Sequence, residues 1–125
     1  MSRQVISQQP GKPFSRGTKV GNLLFVSGQM GIDENDKPVP GGIDPQMRRT
    51  MDWVVEILAE GGATLDDVQM VNNYMADLAT DYATMNKIYF EYFGEGDMPA
   101  RATVEVRRLA MDLLVEISCI ATVKS

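Results

Sequence analysis

The chain has 125 residues, 44% hydrophobic and 23% charged, the make-up of one ordinary globular domain (residues 1–125) with its own core. Its net charge of -5, relieved only by the short pairs Arg48 with Arg49 and Arg107 with Arg108, disfavours nucleic acid as a partner. No apolar run approaches the roughly 20 residues of a membrane span, and the single cysteine, Cys119, excludes an internal disulfide and fits a reducing cytoplasm. The chain also lacks histidine, which removes Ser-His-Asp and Cys-His catalysis, histidine-based zinc sites and the commonest general base. No glycine-rich phosphate-binding motif is present, so a nucleotide cofactor has no support.

Residues 5–7 read as a short edge strand, cut off by the Pro10-Gly11 break. Residues 18–20 and 23–27 pair as a hairpin across Gly21-Asn22, a turn dipeptide with the required backbone freedom. The segment DENDKPVPGG, 33–42, is a surface loop by composition. The first helix starts at Asp44 as N-cap with Pro45 behind it and stops at Gly61-Gly62. Its Met47, Met51, Val54, Val55 and Leu58 form one apolar stripe. A turn at 64–67 leads into a strand over 68–75. A second helix over 81–93, capped by Thr80, buries Met85, Ile88, Tyr89, Tyr92 and Phe93. Strands over 101–107 and 113–123 close the chain.

The order β-β(-β)-α-β-α-β-β predicts an α+β fold, a mixed sheet with two helices packed on one face. The last strand is apolar on both parities, with Leu114 and Ile120 opposite Leu113, Val115 and Ile117. One face can meet the helices; the other calls for a second subunit, so a homo-oligomer is expected.

Two charged residues stand out against this apolar background. Arg101 opens a strand directly after Pro99-Ala100, and parity groups it with Thr103 and Glu105, opposite Ala102, Val104 and Val106. Its fork suits a carboxylate, yet a solvated or ion-paired surface arginine fits the local sequence as well. Glu116 interrupts LLVEISCI, where a charge costs desolvation unless it is paired. It is either a rim glutamate bridged to a cation or a carboxylate tuned for proton transfer. Phe14 in the Pro13-to-Gly17 segment, Ser27-Gly28 at a strand end and Asn86 within the second helix are each compatible with plain turn or packing roles. Cys119 reads as a small core residue, and the nine methionines, mostly at helical core spacing, read as packing.

Taken together, these segments resemble the RidA family, the reactive intermediate (enamine/imine) deaminases, also called YjgF-type or L-PSP-like. The matching stretches are PFSRG at 13–17, GNLLFVSGQ at 21–29, EGGA at 60–63, MNKIY at 85–89, PARATVEV at 99–106 and VEI at 115–117. The resemblance implies a chorismate-mutase-like protomer and a homotrimer whose sheets line an inner barrel, with clefts between neighbouring subunits. It also implies hydrolysis of 2-imino acids such as 2-iminobutanoate and 2-iminopropanoate to 2-oxo acids and ammonia, with no cofactor. By the same resemblance Arg101 holds the substrate carboxylate and Glu116 positions or activates the attacking water. Phe14, Ser27, Gly28, Asn86 and Thr103 line the cleft. The deaminases usually have tyrosine where this chain has Phe14 and often cysteine where it has Thr103. Other enamines, such as aminomuconates, and a non-catalytic carboxylate-binding trimer are the alternatives to a small-imine deaminase.

Overall fold

The computed structural model describes residues 2–124. In chain order it contains β1 (Gln4–Ile6), β2 (Gly17–Val20), β3 (Leu23–Met30), α1 (Ile43–Glu60), β4 (Val68–Met75), α2 (Leu78–Phe93), β5 (Ala100–Glu105) and β6 (Val115–Thr122). The strands form one six-stranded sheet in the order β1-β2-β3-β6-β4-β5. All neighbours are antiparallel except β4 and β5, which run parallel with α2 as their crossover. The last strand is therefore threaded into the middle of the sheet, and β5 is left at an edge. No helix among the described residues is long and apolar enough to cross a membrane.

The predicted architecture of a mixed sheet with two helices is correct, while four local details differ. Helix α1 begins at Ile43 rather than after Asp44, because Gly42 reaches a positive φ of 87° and takes the N-cap place. The Asp44 carboxylate turns instead to Arg48 Nε, 2.8 Å away. In the same helix Val55 is exposed, and the buried face runs through Met47, Met51, Val54, Ile57 and Leu58 with Thr50 and Trp53. Helix α2 starts at Leu78, capped by Asp77, whose side chain accepts from the Thr80 N–H; Thr80 thus lies one turn inside. Strand β6 begins at Val115, and Leu113 is buried just ahead of it.

The core lies between the two helices and one sheet face, where Leu24, Val26, Val71, Met75, Val115, Ile117, Cys119 and Ala121 meet α1 and α2. Burial pushes the Cys119 thiol up to about 12, so it packs as a small apolar side chain and is chemically quiet. The opposite face has no helix over it. Leu23, Phe25 and Val104 are exposed there, and Met30, Met70, Tyr74 and Ile120 are half-buried beside them. These residues form an apolar stripe across the sheet, larger than the singly scattered apolar residues of an ordinary surface.

Candidate active site

Strand register determines where each candidate residue points. Arg101 pairs with Val71, and Val71 with Cys119, so Arg101 lies on the helix-facing side of β5. Thr103 shares that side through its pairing with Asn73. Glu116 pairs with Met30 and Tyr74, and Tyr74 with Val104, all on the uncovered face. Arg101 and Glu116 therefore face opposite sides of one sheet, and the seven predicted residues divide into two groups.

The first group surrounds Arg101 at the edge strand. Its guanidinium sits 4.7 Å from the Tyr89 ring centroid and 5.8 Å from that of Tyr82, and Nη2 donates to the Tyr82 hydroxyl at 3.1 Å. Among the described residues no carboxylate lies within ion-pair distance of it. Arg48, Arg49 and Arg108, by contrast, are each paired with an acid. Among the described residues Arg101 is therefore not an ion-paired charge. Asn86 and Tyr89 line the same open cleft of about 300 Å³, together with Phe90, Met98 and Pro99. Asn86 and the Arg101 charge hold the Tyr82 hydroxyl below its ordinary range, whereas burial raises that of Tyr89.

A further polar contact lies just behind this cleft. Asn73, which is fully buried, donates from Nδ2 to Thr103 Oγ1 at 3.2 Å. Among the described residues the buried side-chain polar atoms without a hydrogen-bond partner are Asn73 Oδ1, Asn86 Oδ1 and the Tyr89 hydroxyl. All three belong to the Arg101 neighbourhood, although such atoms are ordinarily satisfied and costly when they are not.

The second group is built around a β-bulge. The register between β3 and β6 slips between Val26 and Gln29, so Ser27 and Gly28 together oppose one residue of β6. Ser27 uses the bulge to reach the preceding loop: its N–H donates to Arg16 O at 2.8 Å and its hydroxyl to Ser15 O at 2.6 Å. These bonds hold Phe14, which stands 52% exposed, beside the bulge, and Phe14 and Gly28 line a common cavity. Gly28 leaves room for the Glu116 carboxylate, since a Cβ at position 28 would lie 2.5 Å from Glu116 Oε2. Desolvation raises the Glu116 pKa above its ordinary value, and no cation among the described residues pairs with it. Like Arg101, it is not part of an internal ion pair.

The family model described as Endoribonuclease L-PSP matches residues 6–123. The chain belongs to the RidA/YjgF/L-PSP (RutC) family. It is 45% identical to a RutC family protein of Pyrococcus abyssi over 97% of this chain and 98% of that one. It is 34% identical to the 2-iminobutanoate/2-iminopropanoate deaminase of Escherichia coli, covering 87% of this chain and 86% of the relative. The crystal structure of E. coli TdcF with bound serine superposes with a TM-score of 0.87 at 29% identity, covering 97% and 99% of the two chains.

Within this RidA-family chain the bulge makes a specific demand on Gly28. The atom that an added Cβ would meet is the free end of a flexible side chain, so Gly28→Ala should fold with little loss of thermal stability but displace the Glu116 carboxylate. A misplacement of about 1 Å costs up to two orders of magnitude in rate. We expect any rate that depends on the Glu116 carboxylate to fall at least tenfold in Gly28→Ala, with an unchanged circular dichroism spectrum as the control. Sequence reasoning did not single out Tyr82, Tyr89 or Asn73. The only local signal was an asparagine in an apolar strand and tyrosines spaced seven apart on one helix face, which also fit a solvated or packed face.

Proposed function

We propose that this RidA-family chain is an imine/enamine deaminase that hydrolyses small 2-imino acids in clefts between copies of itself. The observation that carries the reading is Arg101, a guanidinium backed by two tyrosine rings with no acid paired to it among the described residues. Such a group offers a planar, pre-oriented partner for a substrate carboxylate. The names of relatives such as the E. coli 2-iminobutanoate/2-iminopropanoate deaminase supply the reaction class.

Because Arg101 and Glu116 face opposite sides of the sheet, one copy cannot bring both to one substrate. A second copy laid against the uncovered apolar face would contribute Glu116, and cyclic closure with three copies would cover all three faces. In such a cleft Arg101 and Asn86 of one copy hold the carboxylate and set the C=N carbon. Glu116 of the neighbour takes a proton from water as its oxygen attacks that carbon. Glu116 returns that proton to the nitrogen of the resulting carbinolamine, and as ammonia leaves the hydroxyl proton passes to the carboxylate and the C=O of the 2-oxo acid forms. Alignment and general-base help are each worth orders of magnitude, and neither needs histidine. Phe14 contributes apolar wall where a tyrosine would add a hydroxyl.

The test is complementation between inactive copies. Arg101→Ala and Glu116→Gln proteins, each inactive alone, are unfolded together in equal amounts, refolded and assayed for 2-oxo acid release. Random mixing restores one intact Arg101–Glu116 combination in about a quarter of the clefts of a cyclic assembly, and activity should recover to that level. Recovery of no activity from a properly assembled mixture would rule out a shared cleft.

A further inference from the structure

Arg101 has a counterpart in the other half of the site. Arg16 lies with its guanidinium 4.7 Å from the Trp53 ring centroid, and the Gln9 amide, oriented with its carbonyl toward the guanidinium as donor–acceptor matching requires, accepts from Nη2 and Nε. Among the described residues no carboxylate pairs with it. Arg16 and Arg101 are thus made alike, each stacked on an aromatic ring, hydrogen-bonded to a neutral group and left without a counter-ion. The other arginine on Trp53, Arg49, differs in being bound to Glu34 at 3.1 Å.

Arg16 also opens into the right place. It lines the cavity shared by Phe14 and Gly28, the bulge glycine that makes room for Glu116. Two other charged side chains on that wall, Lys12 and Asp36, neutralise one another at 2.8 Å. Arg3 lines the adjoining cavity of about 380 Å³ around Phe14 and Ser27. In a chain of net charge -5, this half-site therefore presents an uncompensated positive group.

We infer that the substrate carries two carboxylates, one held by Arg101 of one copy and the second by Arg16 of its neighbour. The class is the imine of a dicarboxylic 2-oxo acid, the species left when the α-amine of an acidic amino acid is oxidised. Hydrolysis is balanced as before: water adds to the C=N carbon, ammonia leaves, and the distal carboxylate is unchanged. A guanidinium fork at a half-buried site gains a charge-assisted pair with that group and gains nothing from an alkyl chain of the same length. This inference rests on the deaminase reading above.

The discriminating pair of probes is 2-oxoglutarate and 2-oxopentanoate, which have the same chain length and differ in the distal carboxylate. Calorimetry on the assembled protein should show 2-oxoglutarate binding about tenfold tighter or more, a preference that weakens as salt is raised. Arg16→Gln should remove most of that preference, while Arg101→Ala should weaken both acids. If both acids depend on Arg101 and bind equally, the dicarboxylate inference is overturned and the deaminase reading stands. If Arg16→Gln weakens both acids alike, Arg16 only holds the 9–16 loop and the inference is likewise overturned. If neither acid depends on Arg101, both readings fall together.

Discussion

Arg101→Ala should lower kcat/KM for 2-imino acid hydrolysis by about two orders of magnitude or more while the protein stays folded. The side chain sits on an edge strand and, among the described residues, is tied to the fold by aromatic stacking and one hydrogen bond to Tyr82. Losing a partly exposed cation–π contact costs about 1 kcal/mol, a shift of a few degrees in Tm. Losing a charge-assisted, bidentate carboxylate anchor costs roughly 2–5 kcal/mol of binding and positioning, and each 1.4 kcal/mol is a factor of ten. Arg101→Lys should recover only part of the loss, because an ammonium keeps the charge but not the fork. The measurement is 2-oxo acid formation when a pyridoxal-phosphate dehydratase generates 2-aminoacrylate in situ. Wild type and Arg101→Ala giving the same acceleration over the uncatalysed rate would end the argument for this substrate.

Glu116→Gln should remove catalysis and yet stabilise the fold. Without the carboxylate the attacking water loses its base, a deficit of about 10²- to 10⁴-fold in kcat. The pH profile separates this from a packing effect. Desolvation lifts the Glu116 pKa above its ordinary value of 4.5, and the base works only when ionised. The acid limb of kcat in wild type should therefore lie above the ordinary carboxylate range, and the residual rate of Glu116→Gln should lack that limb. For stability the sign is opposite. With a raised pKa the folded chain binds the proton more tightly than the unfolded chain does. Stability is then greatest below the unfolded value and declines as pH rises through the folded one. Glu116→Gln removes that decline, so thermal melts at neutral pH should show an equal or higher Tm than wild type. A lowered Tm with the acid limb intact would mean that Glu116 is a structural residue.

The endoribonuclease description carried by the family model finds little support in this chain's chemistry. Net charge is -5 and histidine is absent, so neither a phosphate-tracking surface nor the commonest acid–base group for phosphodiester cleavage is at hand. Arg3, which is exposed, and Arg16, which is half-buried, each line one of the two cavities beside Phe14.

How far the sequence reached can be followed residue by residue. Alternation along β5 is a local property, and it placed Arg101 with Thr103 and Glu105 correctly, away from Val104. Apolar residues on both parities of β6 likewise pointed to a second apolar face, which the structure shows half-buried and without a helix over it. Helix starts were less legible. Whether Asp44 or Gly42 caps α1 turns on a backbone angle that glycine makes available, and an acidic residue nearby looks the same in either case. The bulge at Ser27 and Gly28 was visible only as a glycine inside a strand, a signal shared with many ordinary turns.

By itself the sequence determined the inventory: an α+β chain without histidine, whose chemistry must come from Arg101, Glu116, hydroxyls and amides, in the segments shared with the RidA family. Only the tertiary structure decided that no acid among the described residues pairs with Arg101, that Arg16 matches it, and that Arg101 and Glu116 look away from each other. The physical reason is that local periodicity says which residues share a face of one strand, while long-range pairing relates the faces of different strands. Here β6 is threaded between β3 and β4, and β5 docks parallel at the edge through α2. That register aligns Arg101 with Val71 on the helix side and Glu116 with Tyr74 on the open side.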